Sequence, residues 1–141
     1  MNRIQKIFLN RTEKVIPFLT AGYPTKKDTI NLVLAAESSG AAMVELGIPF
    51  SDPQADGPII QASSQQALDN GITLKIIFEQ VTEIRKRTDV PIALMGYYNP
   101  ILKMGHEKFL DYCISSGVDG LILPDLPLED CLLYTSPSPR D

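Results

Sequence analysis

The sequence predicts a parallel α/β fold. Four short apolar runs, at 15–20, 42–48, 90–95 and 118–123, alternate with longer stretches of helical periodicity. The runs are apolar throughout rather than every second residue, so both sheet faces should be covered. Strands separated by helices imply parallel pairing through right-handed crossovers. The predicted order is α-βα-βαα-βα-β. Two architectures satisfy it: an open doubly wound sheet, or part of an eight-stranded (βα)₈ barrel. The pattern alone does not choose between them.

Each element has its own signal. Ile4, Ile7 and Phe8 fall at helical spacing and predict a short amphipathic helix. Strand one, 15–20, carries Pro17, which suits an irregular position because proline donates no ladder hydrogen bond. Thr25 to Asp28 has the form of a capping box. The apolar residues Ile30, Val33, Leu34 and Ala36 then run to a stop at Ser38-Ser39-Gly40. After strand two, 42–48, a helix is predicted over 59–68, ending near Asn70-Gly71. Thr73 caps the next, with Ile76, Ile77, Val81 and Ile84 on one stripe. Strand three, 90–95, precedes a helix over 106–115 with Phe109, Leu110, Cys113 and Ile114 apolar. Strand four, 118–123, ends at Pro124-Asp125. The unit is read as 1–130. Residues 131–141 form a Ser/Pro-rich run that cannot hold a helix, and are read as a non-native or disordered tail.

Composition narrows the function classes. The 141 residues carry a net charge of −4, with no clustered Lys/Arg face of the kind a nucleic acid or anionic membrane needs. The densest basic run, Arg85-Lys86-Arg87, reads as a solvated helix end complementing the dipole. Two cysteines, Cys113 and Cys131, build neither a disulfide framework nor a zinc site. No signal-peptide core and no apolar run near 18 residues is present, which leads to the expectation of a cytoplasmic protein. No phosphate-cradling glycine motif appears.

The chemistry concentrates at one rim. Active sites of parallel α/β proteins lie at the carboxyl ends of the strands. Glu45 sits within strand two, Asp52 and Asp56 in the loop after it, Tyr97, Tyr98 and Asn99 after strand three, and Asp125 after strand four. Met43, Glu45 and Gly47 share one face of strand two, and Val44, Leu46 and Ile48 the other. If the second set faces helices, Glu45 points inward. Burial among apolar groups would raise its pKa and suit it to donate and accept a proton. Asp52 before Pro53 reads as a turn former, and His106 as a solvated or capping residue. A metal site built from these carboxylates ranks lower, because they lack ligand spacing.

Residues 45–58, ELGIPFSDPQADGP, resemble the signature of the tryptophan synthase alpha chain family. PFLTAGYP at 17–24, GYYNPI at 96–101 and LILPDLPLED at 121–130 resemble it too, in the same order. The resemblance implies a (βα)₈ barrel, here only its first four βα units. It implies retro-aldol cleavage of indole-3-glycerol phosphate, with Glu45 as general acid/base and Asp56 holding the indole N–H. Phe18, Tyr97 and Ile122 match positions lining the indole pocket. Pro53 and Asn99 match loops that face the beta chain. That partner carries pyridoxal phosphate in an alpha-beta-beta-alpha tetramer; no cofactor or metal is implied for this chain.

A whole barrel needs roughly 250 residues, and the family's phosphate site lies in loops after strands seven and eight. The resemblance therefore supplies both carboxylates without the phosphate grip. Three readings follow: the N-terminal half of a lyase, a non-catalytic fragment that binds a beta chain, or half of another phosphate-handling barrel enzyme.

Overall fold

The structure, a computed structural model, describes residues 1–10 and 12–126; the end of the 1–130 unit and the tail expected at 131–141 lie outside them. Helix α1 spans Arg3–Ile7, followed by β1 (Phe18–Thr20) and α2 (Asp28–Ser38). Strand β2 (Val44–Gly47) leads into two helices, α3 (Pro58–Asp69) and α4 (Leu74–Arg85). Strand β3 (Ile92–Met95) is followed by α5 (Tyr98–Met104) and α6 (His106–Ser116), and then by β4 (Gly120–Ile122).

The strands pair in the order β1-β2-β3-β4, all parallel. One cross-strand row reads Leu19, Leu46, Leu94 and Leu121. Leu46 and Leu94 are fully buried in a cluster that also holds Val33, Ala67, Ile77, Val81, Ile101 and Phe109, from α2 to α6. All five helices therefore cover one face. A doubly wound sheet places helices on both, so the observed order is that of a barrel wall. The opposite rows, Phe18-Glu45-Ala93-Gly120 and Thr20-Gly47-Met95-Ile122, line the inner face.

Several local expectations are refined. Strand β1 begins only at Phe18, yet Pro17 and Val15 still lend carbonyls, accepting from the Glu45 and Ala42 amides at 3.0 and 2.9 Å. The box at Thr25 is one-sided: Asp28 accepts from the Thr25 amide and hydroxyl, while no side chain caps α2. Phe8, expected in the first helix, lies just past the end of α1 and is exposed. In α6, Ile114 is 78% exposed; the buried face is Phe109, Cys113 and Ser116. Helix α5 has no counterpart among the predicted elements. Pro100 falls in its first turn, where proline is tolerated. The exposed helix start is satisfied from afar, since the Tyr98 amide donates to Asp125 at 2.9 Å.

Arg85 corrects the reading of a solvated basic turn. Its side chain is 10% exposed and pairs at 2.6 Å with Asp119, itself 4% exposed. It also donates to the Gly117 and Val90 carbonyls at 2.8 and 2.6 Å. Burial lowers the Arg85 pKa, which the Asp119 charge opposes. Asp119 further accepts the Ile92 amide at 2.9 Å and pairs with Arg3 of α1 at 3.0 Å. The network ties α1, α4, β3 and β4 together at the end opposite the predicted site. Removing the carboxylate leaves a buried guanidinium unpaired. Asp119→Ala should therefore cost about 3–5 kcal/mol in urea unfolding. Arg3→Ala breaks a half-exposed pair and should cost about 1 kcal/mol or less.

Candidate active site

The face assignment for strand β2 holds. Val44 and Leu46 are fully buried under the helices, and Glu45 lies on the inner row between Phe18 and Ala93. Glu45 is half-buried rather than buried. Four strands wall one side of the inner face, and Ile4 of α1 packs over its amino end at Gly120. Its carboxylate makes no hydrogen bond or ion pair among the described residues, so no buried Lys or Arg neutralises it.

Above Glu45, towards the carboxyl ends of the strands, lies a narrow crevice. It is lined by Phe18, Gly47, Asp56, Met95, Gly96 and Tyr97, with Ile48, Ile60, Ser64 and Pro124 completing the wall. Phe18, Asp56 and Tyr97, from three separate elements, thus meet in one place. Ile122 is on the inner row beside Met95, 36% exposed, and does not line the crevice.

Two glycines make the crevice possible. A Cβ on Gly47 would lie 2.4 Å from Phe18 Cζ, so the Phe18 ring rests directly on the strand. A Cβ on Gly96 would lie 2.9 Å from Ile48 Cβ. Neither was singled out from the sequence, although a glycine inside an apolar strand signals close approach.

The loop from Ile48 to Gly57 carries Asp56 and is exposed at five of its ten residues, but Tyr97 beneath it is 6% exposed. The Tyr97 ring stacks on Phe50 at 5.4 Å and 28°, and its hydroxyl accepts the Ala55 amide at 2.9 Å. Burial raises the Tyr97 pKa; the Ala55 amide opposes this, and the neighbouring Asp56 carboxylate adds to it. The phenol therefore keeps its proton at neutral pH.

The other candidates fall elsewhere. Asp52 is exposed and accepts from Ser51 at 3.3 Å. Pro53 is half-buried in the loop. Asn99 is exposed and borders a separate apolar groove formed by Ile48, Pro49, Phe50, Leu74 and Pro100. His106 is neither a cap nor simply solvated: its Nε2 meets the Tyr98 hydroxyl at 2.5 Å, away from the crevice. Cys113 is buried under α6, which pushes its thiol up to about 12 and removes it as a nucleophile at neutral pH. Among the described residues no three His, Cys, Asp or Glu side chains gather to hold a metal ion, and no helix is long and apolar enough to cross a membrane.

The arrangement offers a carboxylate on the wall with no partner among the described residues, a second carboxylate at the rim and two aromatic rings: groups that can move a proton, accept an N–H or O–H and give flat apolar contact.

Known proteins are similar to this chain in sequence and fold. A sequence profile of the tryptophan synthase alpha chain family matches residues 5–137. The tryptophan synthase alpha chain of Parabacteroides distasonis is 50% identical over 131 residues, covering 92% of this chain and 51% of that protein. That of Caldanaerobacter subterraneus is 53% identical over 134 residues, with the same coverage. Among solved structures, tryptophan synthase subunit alpha from Legionella pneumophila superposes with a TM-score of 0.89 at 41% identity, over 93% of this chain and 52% of that one. A chain of the Pyrococcus furiosus tryptophan synthase complex gives 0.80 at 46% identity, over 86% and 51%. The chain spans about half the length of the relatives it matches.

The packing of Phe18 on Gly47 makes one prediction here. Gly47→Ala should displace the ring and cost about 1–3 kcal/mol. The checks are a lowered urea midpoint and NMR shifts confined to Phe18, Asp56 and Tyr97.

Proposed function

The chain belongs to the tryptophan synthase alpha chain family, and from that premise we propose that it is the N-terminal half of a lyase barrel that cleaves indole-3-glycerol phosphate to indole and glyceraldehyde 3-phosphate. The observation that carries this reading is the meeting of Phe18, Asp56 and Tyr97 in one crevice above the unpaired Glu45.

The reaction breaks a carbon–carbon bond to an aromatic ring, so the ring must first become an electron sink. Glu45, protonated, donates to the ring carbon that bears the glycerol chain. Positive charge then develops at the ring nitrogen, where the Asp56 carboxylate accepts the N–H and stabilises it. The Glu45 carboxylate next removes the proton of the side-chain hydroxyl adjacent to the ring. The carbon–carbon bond breaks, its electrons restore the indole, and the hydroxyl carbon becomes the aldehyde. Glu45 ends protonated, as it began. Phe18 and Tyr97 supply flat apolar contact for the ring, and Ile122 extends that wall along the inner face.

Phosphate binding belongs to loops after strands seven and eight, outside these 141 residues. Remote phosphate contacts supply much of the energy that positions a small substrate. The 141-residue chain alone should therefore show little or no cleavage. A second reading, favoured by the apolar groove beside Asn99, is a non-catalytic piece that docks on a beta chain through the Pro53 and Asn99 loops.

A chimera tests both. Residues 1–126 joined to the second half of the Parabacteroides distasonis alpha chain should cleave indole-3-glycerol phosphate. Glu45→Gln in that chimera should lower kcat by at least about a hundredfold, and Asp56→Asn by a comparable factor. A folded chimera whose rate is indifferent to Glu45→Gln would sink the lyase assignment. If an inactive chimera still binds the beta chain, and Asn99→Arg abolishes that binding, the second reading stands instead.

A further inference from the structure

We propose that Tyr97 is a positioning residue for Asp56: it clasps the β2–α3 loop at both ends, its ring holding Phe50 and its hydroxyl holding the Ala55 amide. This goes beyond a wall of the indole pocket, and its catalytic consequence rests on the role proposed above for Asp56.

The loop has little else to hold it. Ser51, Asp52, Gln54, Ala55 and Gly57 are exposed. Its other hydrogen bonds stay within the loop or run to the helix it enters: Ser51 to Asp52 at 3.3 Å, the Asp56 amide to Pro53 at 3.4 Å, and Gln61 to the Asp56 carbonyl at 2.7 Å. Among the described residues, the Ala55–Tyr97 bond is the one that ties the backbone of residues 49–57 to another strand's end, spanning 42 positions of sequence. It falls on the residue next to Asp56. The stacked Phe50 ring, 5.4 Å away, anchors the loop's opposite end.

The clasp is itself held. Tyr97 caps α5, and the next amide, Tyr98, donates to Asp125 after β4. The loops after β2, β3 and β4 are thus linked in series. A phenol both accepts and donates: with its lone pair on the Ala55 amide, the Tyr97 proton is free for the Asp56 carboxylate. That agrees with the contribution of Asp56 to the raised Tyr97 pKa, after burial; Asp125 acts in the same direction.

Tyr97→Phe keeps the ring and deletes the acceptor. In the 141-residue chain, amide exchange at Ala55 followed by NMR should speed up about three- to tenfold, the worth of one ordinary hydrogen bond. Exchange on β3 should stay unchanged. In Asp56→Asn, the Tyr97 titration followed through ring ¹³C shifts should move down towards the ordinary tyrosine value. In the chimera, Tyr97→Phe should lower kcat with little change in KM. Should Tyr97→Phe fail to fold, Ala55→Pro removes the donor instead and should shift the Asp56 and Tyr97 resonances together. Unchanged Ala55 exchange in a folded Tyr97→Phe chain overturns the clasp, even if cleavage falls. Faster Ala55 exchange with a chimera that never cleaves the substrate supports the clasp and removes the lyase reading.

Discussion

The parallel register of four strands is the constraint on which the rest depends. Side chains alternate along a strand, so burying one row commits the next to the opposite side. Leu46 and Leu94, fully buried under the helices, make that choice for the sheet. Glu45 then has no alternative but the inner face, beside Phe18 and Ala93. A slip of one residue would bury the carboxylate under the helices and turn the leucines to the inner face. Apolar packing on the outside therefore orients the charge on the inside, without any bond to the charge itself.

The two ends of the sheet are built for different tasks. At the amino ends of the strands, Asp119 gathers Arg85, Arg3 and the Ile92 amide into a largely buried network. Ile4 of α1 approaches within 2.9 Å of the point where a Cβ on Gly120 would sit, packing α1 against the start of β4. Bonds there are short, charged and redundant. At the carboxyl ends the loops carry no ion pair among the described residues and are joined by contacts such as Ala55 to Tyr97, Phe50 to Tyr97 and the Tyr98 amide to Asp125. Such a division leaves the rim free to admit a ligand while the opposite end holds the strands in place.

Much of this was legible in the residues. The four strands, the helices other than α5 and the rim carrying Asp56, Tyr97 and Asp125 follow from periodicity and from glycine and proline punctuation. Alternation puts Glu45 on the face opposite Val44 and Leu46, and the burial of those two under the helices turns it inward. What was not legible needed distant partners. Arg85 reads as an ordinary basic helix end until Asp119, 34 residues on, is placed beside it. Helix α5 is invisible because its first turn is satisfied by Asp125, 27 residues away. Phe8 and Ile114 are apolar and at helical spacing, yet exposed, because the spacing does not say which edge of a stripe meets a neighbour.

By itself, then, the sequence determined the class of fold, the direction of the strands and the residues that could do chemistry, since these depend on local periodicity and on residue type. Only the tertiary structure decided between an open sheet and a barrel wall, because that rests on which strands are neighbours and on whether the helices share a face. It likewise decided that Phe18, Asp56 and Tyr97 share a crevice while Asn99 borders another. Contact between residues some 40 positions apart is a property of packing, and glycines such as Gly47 show their purpose only once the ring that lies on them is in place.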